Sequence, residues 1–132
     1  MNIAQMDIIS YLTYLGTGIV MLLVFSKIYF VLTPYDELAL IRQGRGAACV
    51  SLSGTLIGFS LTLAAGAIYN NSLIVFIVWG VLSMLVQLLG YLVIIKIIGD
   101  VEERISKNNV ATGSLIGLTG LVLGILNAGC LS

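Results

Sequence analysis

The chain has 132 residues, of which 59% are hydrophobic and 9% charged, and its six basic and six acidic side chains give a formal net charge of zero. A mean hydropathy of +1.12 excludes a soluble helical bundle, in which every helix keeps a polar face. The chain has no basic tract to follow a phosphate backbone, so we expect no nucleic-acid partner.

Four long apolar stretches predict four membrane-spanning helices. They run roughly from Ile9 to Leu32, Ala47 to Ile68, Leu73 to Ile98 and Val110 to Leu131. Each exceeds the ~20 residues that cross a hydrocarbon core of ~30 Å. Little chain remains outside these stretches, so we predict an all-α, multi-pass membrane protein without a separate soluble domain.

All six basic residues lie at one end of the predicted spans. They are Lys27, Arg42, Arg45, Lys96, Arg104 and Lys107. Because positive side chains are enriched in cytoplasmic loops, we predict that both basic loops face the cytoplasm and both chain termini face outward. The first span is too long for a signal peptide and no basic segment precedes it, so we expect it to remain attached.

Aromatic side chains gather near both ends of the spans. The outer group comprises Tyr11, Tyr14, Tyr69 and Trp79, and the inner group comprises Tyr29, Tyr35 and Tyr91. Tyrosine and tryptophan are enriched where a membrane meets water. We therefore interpret both groups as interfacial belts.

Both inner loops place acidic residues before basic ones. A capping residue followed by an acid, as at Thr33 and Asp36 and again at Asp100 and Glu103, predicts a short interfacial helix in each loop. One interpretation of these loops is a solvated structural turn, and the other is a docking site for a cytoplasmic or peripheral protein. The docking candidates are Asp36, Glu37, Arg42, Arg45, Glu102, Glu103, Arg104 and Lys107.

The order of these features occurs twice along the chain. At an offset of 64 residues, Asp36 aligns with Asp100 and Ala47 aligns with Ala111. We predict two repeats, residues 1–70 and 71–132, each with two spans. Because each unit has an even number of spans, the repeats are parallel and related by an axis along the membrane normal.

Small residues form a stripe down the fourth span. Gly113, Gly117, Gly120, Gly124 and Asn127 follow one another at steps of four, three, four and three. The second span has a counterpart in Gly54 and Gly58. Since small residues permit close contact between helices in lipid, we predict that these two spans pack together.

Six polar residues within the spans have two interpretations. They are Thr17, Thr55, Ser60, Gln87, Thr119 and Asn127. They form either hydrogen bonds between helices or the lining of a solute pathway. Gln87 is the most polar of those near the midplane, and a buried amide requires a partner.

The sequence offers little for catalysis or metal binding. Cys49 and Cys130 lie at opposite ends of their spans, about 30 Å apart, so they do not form a disulfide within one chain. Cys130 is a candidate for crosslinking neighbouring subunits. The chain has no histidine and no nucleophile placed with a base, so we predict no enzyme, no cofactor and no metal.

The repeated motifs resemble those of the YjfL-type inner-membrane proteins, the family of domain of unknown function 350. They are TPYDE at residues 33–37, SGTLIG at 53–58, NVATG at 109–113 and NAGC at 127–130. The resemblance covers essentially the whole chain. It implies a four-span protein of the bacterial inner membrane, linked to the cell envelope.

Two functional hypotheses remain at this point. The first is a non-catalytic, homo-oligomeric scaffold in the lipid bilayer that recruits a partner through its inner loops. The alternative is a homo-oligomeric channel or small-solute conduit. Four short helices are too few to enclose a wide path, so that path would lie between subunits.

Overall fold

A computed structural model describes residues 3–69 and 72–131, with side chains from residue 8 onward. All of its regular elements within these ranges are helices. They are α1 (Ile3–Leu32), α2 (Glu37–Arg42), α3 (Gly46–Tyr69), α4 (Leu73–Ile98), α5 (Val101–Ser106) and α6 (Val110–Leu131). The four long helices are long and apolar enough to cross a membrane, which confirms the predicted spans.

The helix boundaries agree with the predicted spans except at the beginning of α1. This helix begins at Ile3, whereas the span was predicted from Ile9. Hydrophobicity marks the part of a helix that lies in lipid, and a helix continues beyond it wherever the backbone bonds persist. The boundary between the two predicted repeats, at residues 70 and 71, lies outside the described residues.

Helices α3 and α6 pack together more closely than any other pair. A Cβ added to Gly54 would overlap the Gly117 backbone, and one added to Gly58 would overlap the Gly120 carbonyl. One added to Gly124 would overlap the backbone of Gly58. We call this contact, made by Gly54, Gly58, Gly113, Gly117, Gly120 and Gly124, the α3–α6 seam. Backbones approach this closely only where side chains are absent.

Helix α4 packs against both α3 and α6, α1 packs against α3 and α4, and together they enclose an aromatic core. The Phe25 ring packs on Phe59 with centroids 4.6 Å apart, and Phe76 and Met21 complete the contact. Most other large side chains of α1 and α4 are exposed on the outside of the bundle, as a lipid-facing surface requires.

The two short helices α2 and α5 lie at the same end of the bundle, which we call the α2/α5 end. Asp36 caps α2, since its Oδ1 accepts a hydrogen bond from the Ala39 N–H at 3.2 Å. Asp100 occupies the same place before α5 but has a left-handed backbone with φ of 53° and makes no capping bond. The predicted short helices are present, although Thr33 does not cap either one: its hydroxyl donates to the Phe30 carbonyl at 3.0 Å.

An asparagine pair connects the chain after α5 to the beginnings of the long helices. Asn108 Oδ1 accepts from the Ala47 N–H at 3.0 Å, and Asn109 Oδ1 accepts from the Thr112 N–H at 3.2 Å. Asn108 has φ of 60°, a conformation that asparagine tolerates better than most residues. The second half of the chain thus caps α3 in the first half.

The predicted aromatic belt at the α2/α5 end is wrong. Tyr29, Tyr35 and Tyr91 are 0%, 9% and 3% exposed, and they pack with Val101 and Ile105 in one cluster. The short helices cover this end of the bundle, so the rings are enclosed by protein. At the opposite end Tyr11 remains exposed.

Candidate functional site

The first residue of α2, Glu37, is 1% exposed. The charged residues around it in the sequence are typical of a solvated turn, but the structure buries the Glu37 side chain. Helix α2 turns this side chain toward the long helices while Asp36 and Leu38 on either side remain exposed. A buried carboxyl group is costly unless it is neutral or paired, so its surroundings decide its role.

Tyrosines from three parts of the chain surround Glu37. Tyr29 comes from α1, Tyr35 from the segment before α2, and Tyr91 from α4. The Tyr29 hydroxyl shares a hydrogen bond with Ser51 Oγ of α3 at 3.1 Å, and the Tyr29 and Tyr91 rings meet edge to face at 4.8 Å. We call Tyr29, Tyr35, Glu37, Ser51 and Tyr91 the Glu37 cluster.

Four buried oxygen atoms in this cluster have no hydrogen-bond partner of regular geometry among the described residues. They are both carboxyl oxygens of Glu37 and the hydroxyl oxygens of Tyr35 and Tyr91. Buried polar groups are nearly always paired, because an unpaired one loses its bonds to water without replacement. Four unpaired oxygens in one place distinguish this cluster from the rest of the described protein.

The ionisation of Glu37 reflects its burial. Removal from water raises the pKa of its carboxyl group from 4.5 to about 7, although the nearby hydroxyls of Tyr35 and Tyr29 act in the opposite direction. Burial also raises the pKa of Tyr35 to about 12, with the charge of Glu37 contributing. Near neutral pH, Glu37 therefore exchanges between a neutral and a charged form while the Tyr35 hydroxyl stays neutral.

Two pockets open at the α2/α5 end. The α2 pocket, of about 600 Å³, is lined by Phe30, Thr33, Pro34, Tyr35, Asp36, Glu37, Leu38 and Glu102. The α5 pocket, of about 540 Å³, is lined by Pro34, Ile95, Asp100, Val101, Glu102, Glu103 and Ser106. Pro34 and Glu102 belong to both walls. Five of the six acidic residues of the chain therefore line these two pockets.

The other docking candidates lie around the pockets. Arg42, Arg104 and Lys107 are exposed, and Arg45 is half-buried. Lys107 Nζ pairs with Glu103 Oε1 at 2.6 Å, and this contact lowers the pKa of the Glu103 carboxyl group. Both partners are largely exposed, so the pair adds little stability. The acidic docking candidates therefore line the two pockets, whereas the basic ones do not.

Two of the polar residues within the spans meet at the α3–α6 seam. Gln87 of α4 is buried and its Nε2 donates to the Gly120 carbonyl at 2.7 Å and the Thr55 carbonyl at 3.4 Å. The Thr55 hydroxyl itself donates to the Ser51 carbonyl at 2.9 Å. These contacts connect α4 to both helices of the seam.

The remaining members of that polar set do not converge. Thr17, Ser60 and Thr119 each donate to the carbonyl four residues earlier in their own helix. Asn127 lies apart, with a buried Nδ2 that has no partner among the described residues. Within one copy of the chain, these residues do not form a continuous polar path.

Both cysteines are free and exposed. Among the described residues, no group of three or more histidine, cysteine, aspartate or glutamate side chains is placed to hold a metal ion. Sequence analysis missed the Glu37 cluster, although the repeat offset contained one signal for it. That offset aligns Glu37 with Val101, an apolar residue, and so marks position 37 as one that faces the protein interior.

Comparison with known proteins supports the assignment as a membrane protein. The model of the family described as Domain of Unknown Function (DUF350) matches residues 3–131. The chain is 31% identical over 126 residues to the UPF0719 inner membrane protein YjfL of Escherichia coli strain K12, covering 96% of each chain, and matches the O157:H7 protein to the same extent. No solved structure matches. With its four apolar helices, the protein is a multi-pass inner-membrane protein, and it belongs to the DUF350 family.

Proposed function

We propose that the protein is a non-catalytic membrane protein that recruits a cytoplasmic or peripheral protein through its α2/α5 end. The observation that carries this proposal is the pair of adjoining acidic pockets between α2 and α5. Five acids line them, and the exposed Asp36, Asp100 and Glu102 have no ion pair among the described residues, whereas Glu103 pairs with Lys107. A basic segment of a protein has the complementary charge.

The predicted orientation supports this proposal. All six basic residues lie near the α2/α5 end, and positive loops favour the cytoplasm. Arg42 and Lys107 lie outside the pocket walls, and Lys107 offsets the charge of only one lining acid, Glu103. In the proposed orientation the acidic pockets are open to cytoplasmic proteins.

A conduit between subunits is less well supported by the contacts. Thr17, Ser60 and Thr119 use their hydroxyls within their own helices, and the amide nitrogen of Gln87 is bound to the seam. For the proposed homo-oligomer, the candidate contact surface is a separate apolar groove on α3 and α6. Its lining includes Cys49, Ser53, Ser114 and Leu118.

Charge reversal in the shared pocket wall tests the recruitment proposal. The double variant E102K/E103K should lose the protein that crosslinks to the wild type in native membranes, because it repels a basic segment. The matched control Q43K adds positive charge at an exposed position of the same end that lines neither pocket, and it should keep that protein. An unchanged set of crosslinked proteins in E102K/E103K would refute the proposal.

A further inference from the structure

The four unpartnered oxygens of the Glu37 cluster converge from separate elements. Glu37 contributes two from α2, Tyr35 contributes one from the preceding segment and Tyr91 contributes one from α4. The other buried unpaired atoms of the described residues are Gln87 Oε1 and Asn127 Nδ2, and each of these residues contributes only one such atom. Several oxygen atoms that come together in this way can coordinate a cation through their lone pairs.

The donor set restricts the ligand to a small, singly charged cation. All its atoms are oxygens, which favour hard cations over transition metals. It holds only one carboxyl group, and the Tyr35 hydroxyl remains neutral at physiological pH because its pKa is about 12. Sites for divalent cations commonly combine several carboxylates, whereas one carboxylate balances one positive charge.

The α2 pocket gives such a cation a route to the cluster. Glu37 and Tyr35 form part of its lining, and Asp36 and Glu102 lie in the same wall. The two additional acids are exposed, so they raise the local concentration of cations without being enclosed with them. Access is therefore from the α2/α5 end.

We propose that the Glu37 cluster is a binding site for a monovalent cation, held by the Glu37 carboxylate and the hydroxyl oxygens of Tyr35 and Tyr91. The cation compensates the charge that burial makes costly, and it binds oxygen atoms that have no hydrogen bond of regular geometry. This proposal is independent of partner recruitment, because it concerns enclosed oxygens and the other concerns the exposed acids of the pocket walls.

Protons compete with the cation for Glu37. The titratable or charged groups that face this carboxyl group are Tyr29 of α1, Tyr35, Tyr91 of α4, and Asp36 and Glu102 in the pocket wall. No basic side chain occurs among them to hold the carboxylate charged. The pKa of about 7 places the exchange near neutral pH, so cation binding strengthens above it and weakens below it.

The experiment uses the full chain purified in mild detergent. Thermal unfolding is measured at pH 8 and pH 5.5 in sodium, potassium or ammonium chloride, with choline chloride keeping the ionic strength constant. At least one small cation should raise the unfolding midpoint at pH 8 by about 3 °C or more in a saturable manner, with a smaller rise at pH 5.5. The three salts distinguish an alkali cation from an ammonium ion.

Variants assign the effect to the cluster. E37Q should abolish the response and Y91F, which removes only a hydroxyl oxygen, should weaken the apparent affinity about tenfold. D100N neutralises an exposed acid that lines only the α5 pocket, and it should respond as the wild type does, because asparagine tolerates the left-handed backbone at this position. If E37Q does not fold, Y91F and the carboxylate infrared band of the wild type carry the assignment.

Three results would overturn the proposal. The first is an equal response to choline and to all three small cations, since choline reports ionic strength alone. The second is a full response in Y91F or E37Q. The third is an infrared spectrum at pH 8 in which Glu37 stays protonated at saturating salt, which would mean that the cluster holds a proton and water only.

Discussion

The α3–α6 seam and the Glu37 cluster are both enclosed by the bundle, but most polar side-chain atoms at the seam are paired and several in the cluster are not. In the seam, the Thr62 hydroxyl donates to the Gly124 carbonyl at 2.9 Å and Gln87 Nε2 donates to the Gly120 carbonyl at 2.7 Å. In the cluster, four oxygens have no hydrogen bond of regular geometry among the described residues. Close packing of the two helices explains the glycines of the seam. In the cluster, burial of polar oxygens without regular hydrogen bonds costs free energy, and packing does not explain it.

The two short helices sharpen this contrast. Glu37 begins α2 and Val101 begins α5, and they are 1% and 5% exposed. Both positions are thus buried, and in α5 an apolar side chain fills the place. Because valine is sufficient for burial there, a glutamate in α2 indicates a chemical role that α5 does not share.

The largest expected effect comes from the seam. G124L forces a side chain into the backbone of Gly58, which cannot move away without separating α3 from α6. We expect a loss of about 3 kcal/mol in the free energy of unfolding, or no folded protein. The matched control is G16L on α1, where an added Cβ meets nothing within 4 Å. It should change stability by less than about 0.5 kcal/mol. Equal stability of the two variants in an unfolding titration would contradict the geometry of the seam.

The positions of the spans followed from the sequence, but the Glu37 cluster did not. A run such as Leu73 to Ile98 has a single physical interpretation, because only a helix spans lipid. Glu37 lies in a loop whose charges suggest solvent, and its burial depends on how α2 folds onto the long helices. Tyr29 and Tyr91 are 62 residues apart in the chain, and no local pattern shows that their rings meet.

A smaller effect is expected from moving the carboxyl group to α5. V101E buries a second carboxyl group in the cluster that Val101 shares with Tyr29, Tyr35 and Tyr91, whose hydroxyls already face Glu37, so we expect a loss of about 1–3 kcal/mol. V101L is the control for size. E37L, in contrast, should keep or increase stability at pH 8 in choline chloride, because it removes two of the four unpaired oxygens and leaves no buried charge. If V101E is as stable as V101L, a buried carboxyl group at α5 costs no stability, and the surroundings of Glu37 would then provide nothing that α5 lacks.

The pH dependence of stability tests the ionisation of Glu37 directly. Its pKa in the folded protein is about 7, above the ordinary value of 4.5, so folding favours the protonated form. In choline chloride, stability should therefore be highest below pH 4.5, fall as the pH rises toward 7 and level off above it. E37Q should remove this slope, whereas D36N should retain it. A slope that E37Q leaves intact would assign it to another group.

The smallest effect is expected for Gln87, which joins α4 to the α3–α6 seam. Its Nε2 bonds to helix carbonyls at 2.7 and 3.4 Å, while its Oε1 is buried without a partner among the described residues. Q87M keeps the length of the side chain and removes both polar atoms. The Gly120 and Thr55 carbonyls lie inside helices and keep their backbone bonds, so the change leaves no new orphan.

The expected loss for Q87M is about 0.6 kcal/mol, the usual size of a hydrogen bond between membrane helices. Unfolding in detergent measures it, and L85M, on the exposed face of the same helix, is the control. A loss above about 2 kcal/mol would mean that Gln87 does more than join α4 to the seam, because a single interhelical bond does not supply that much.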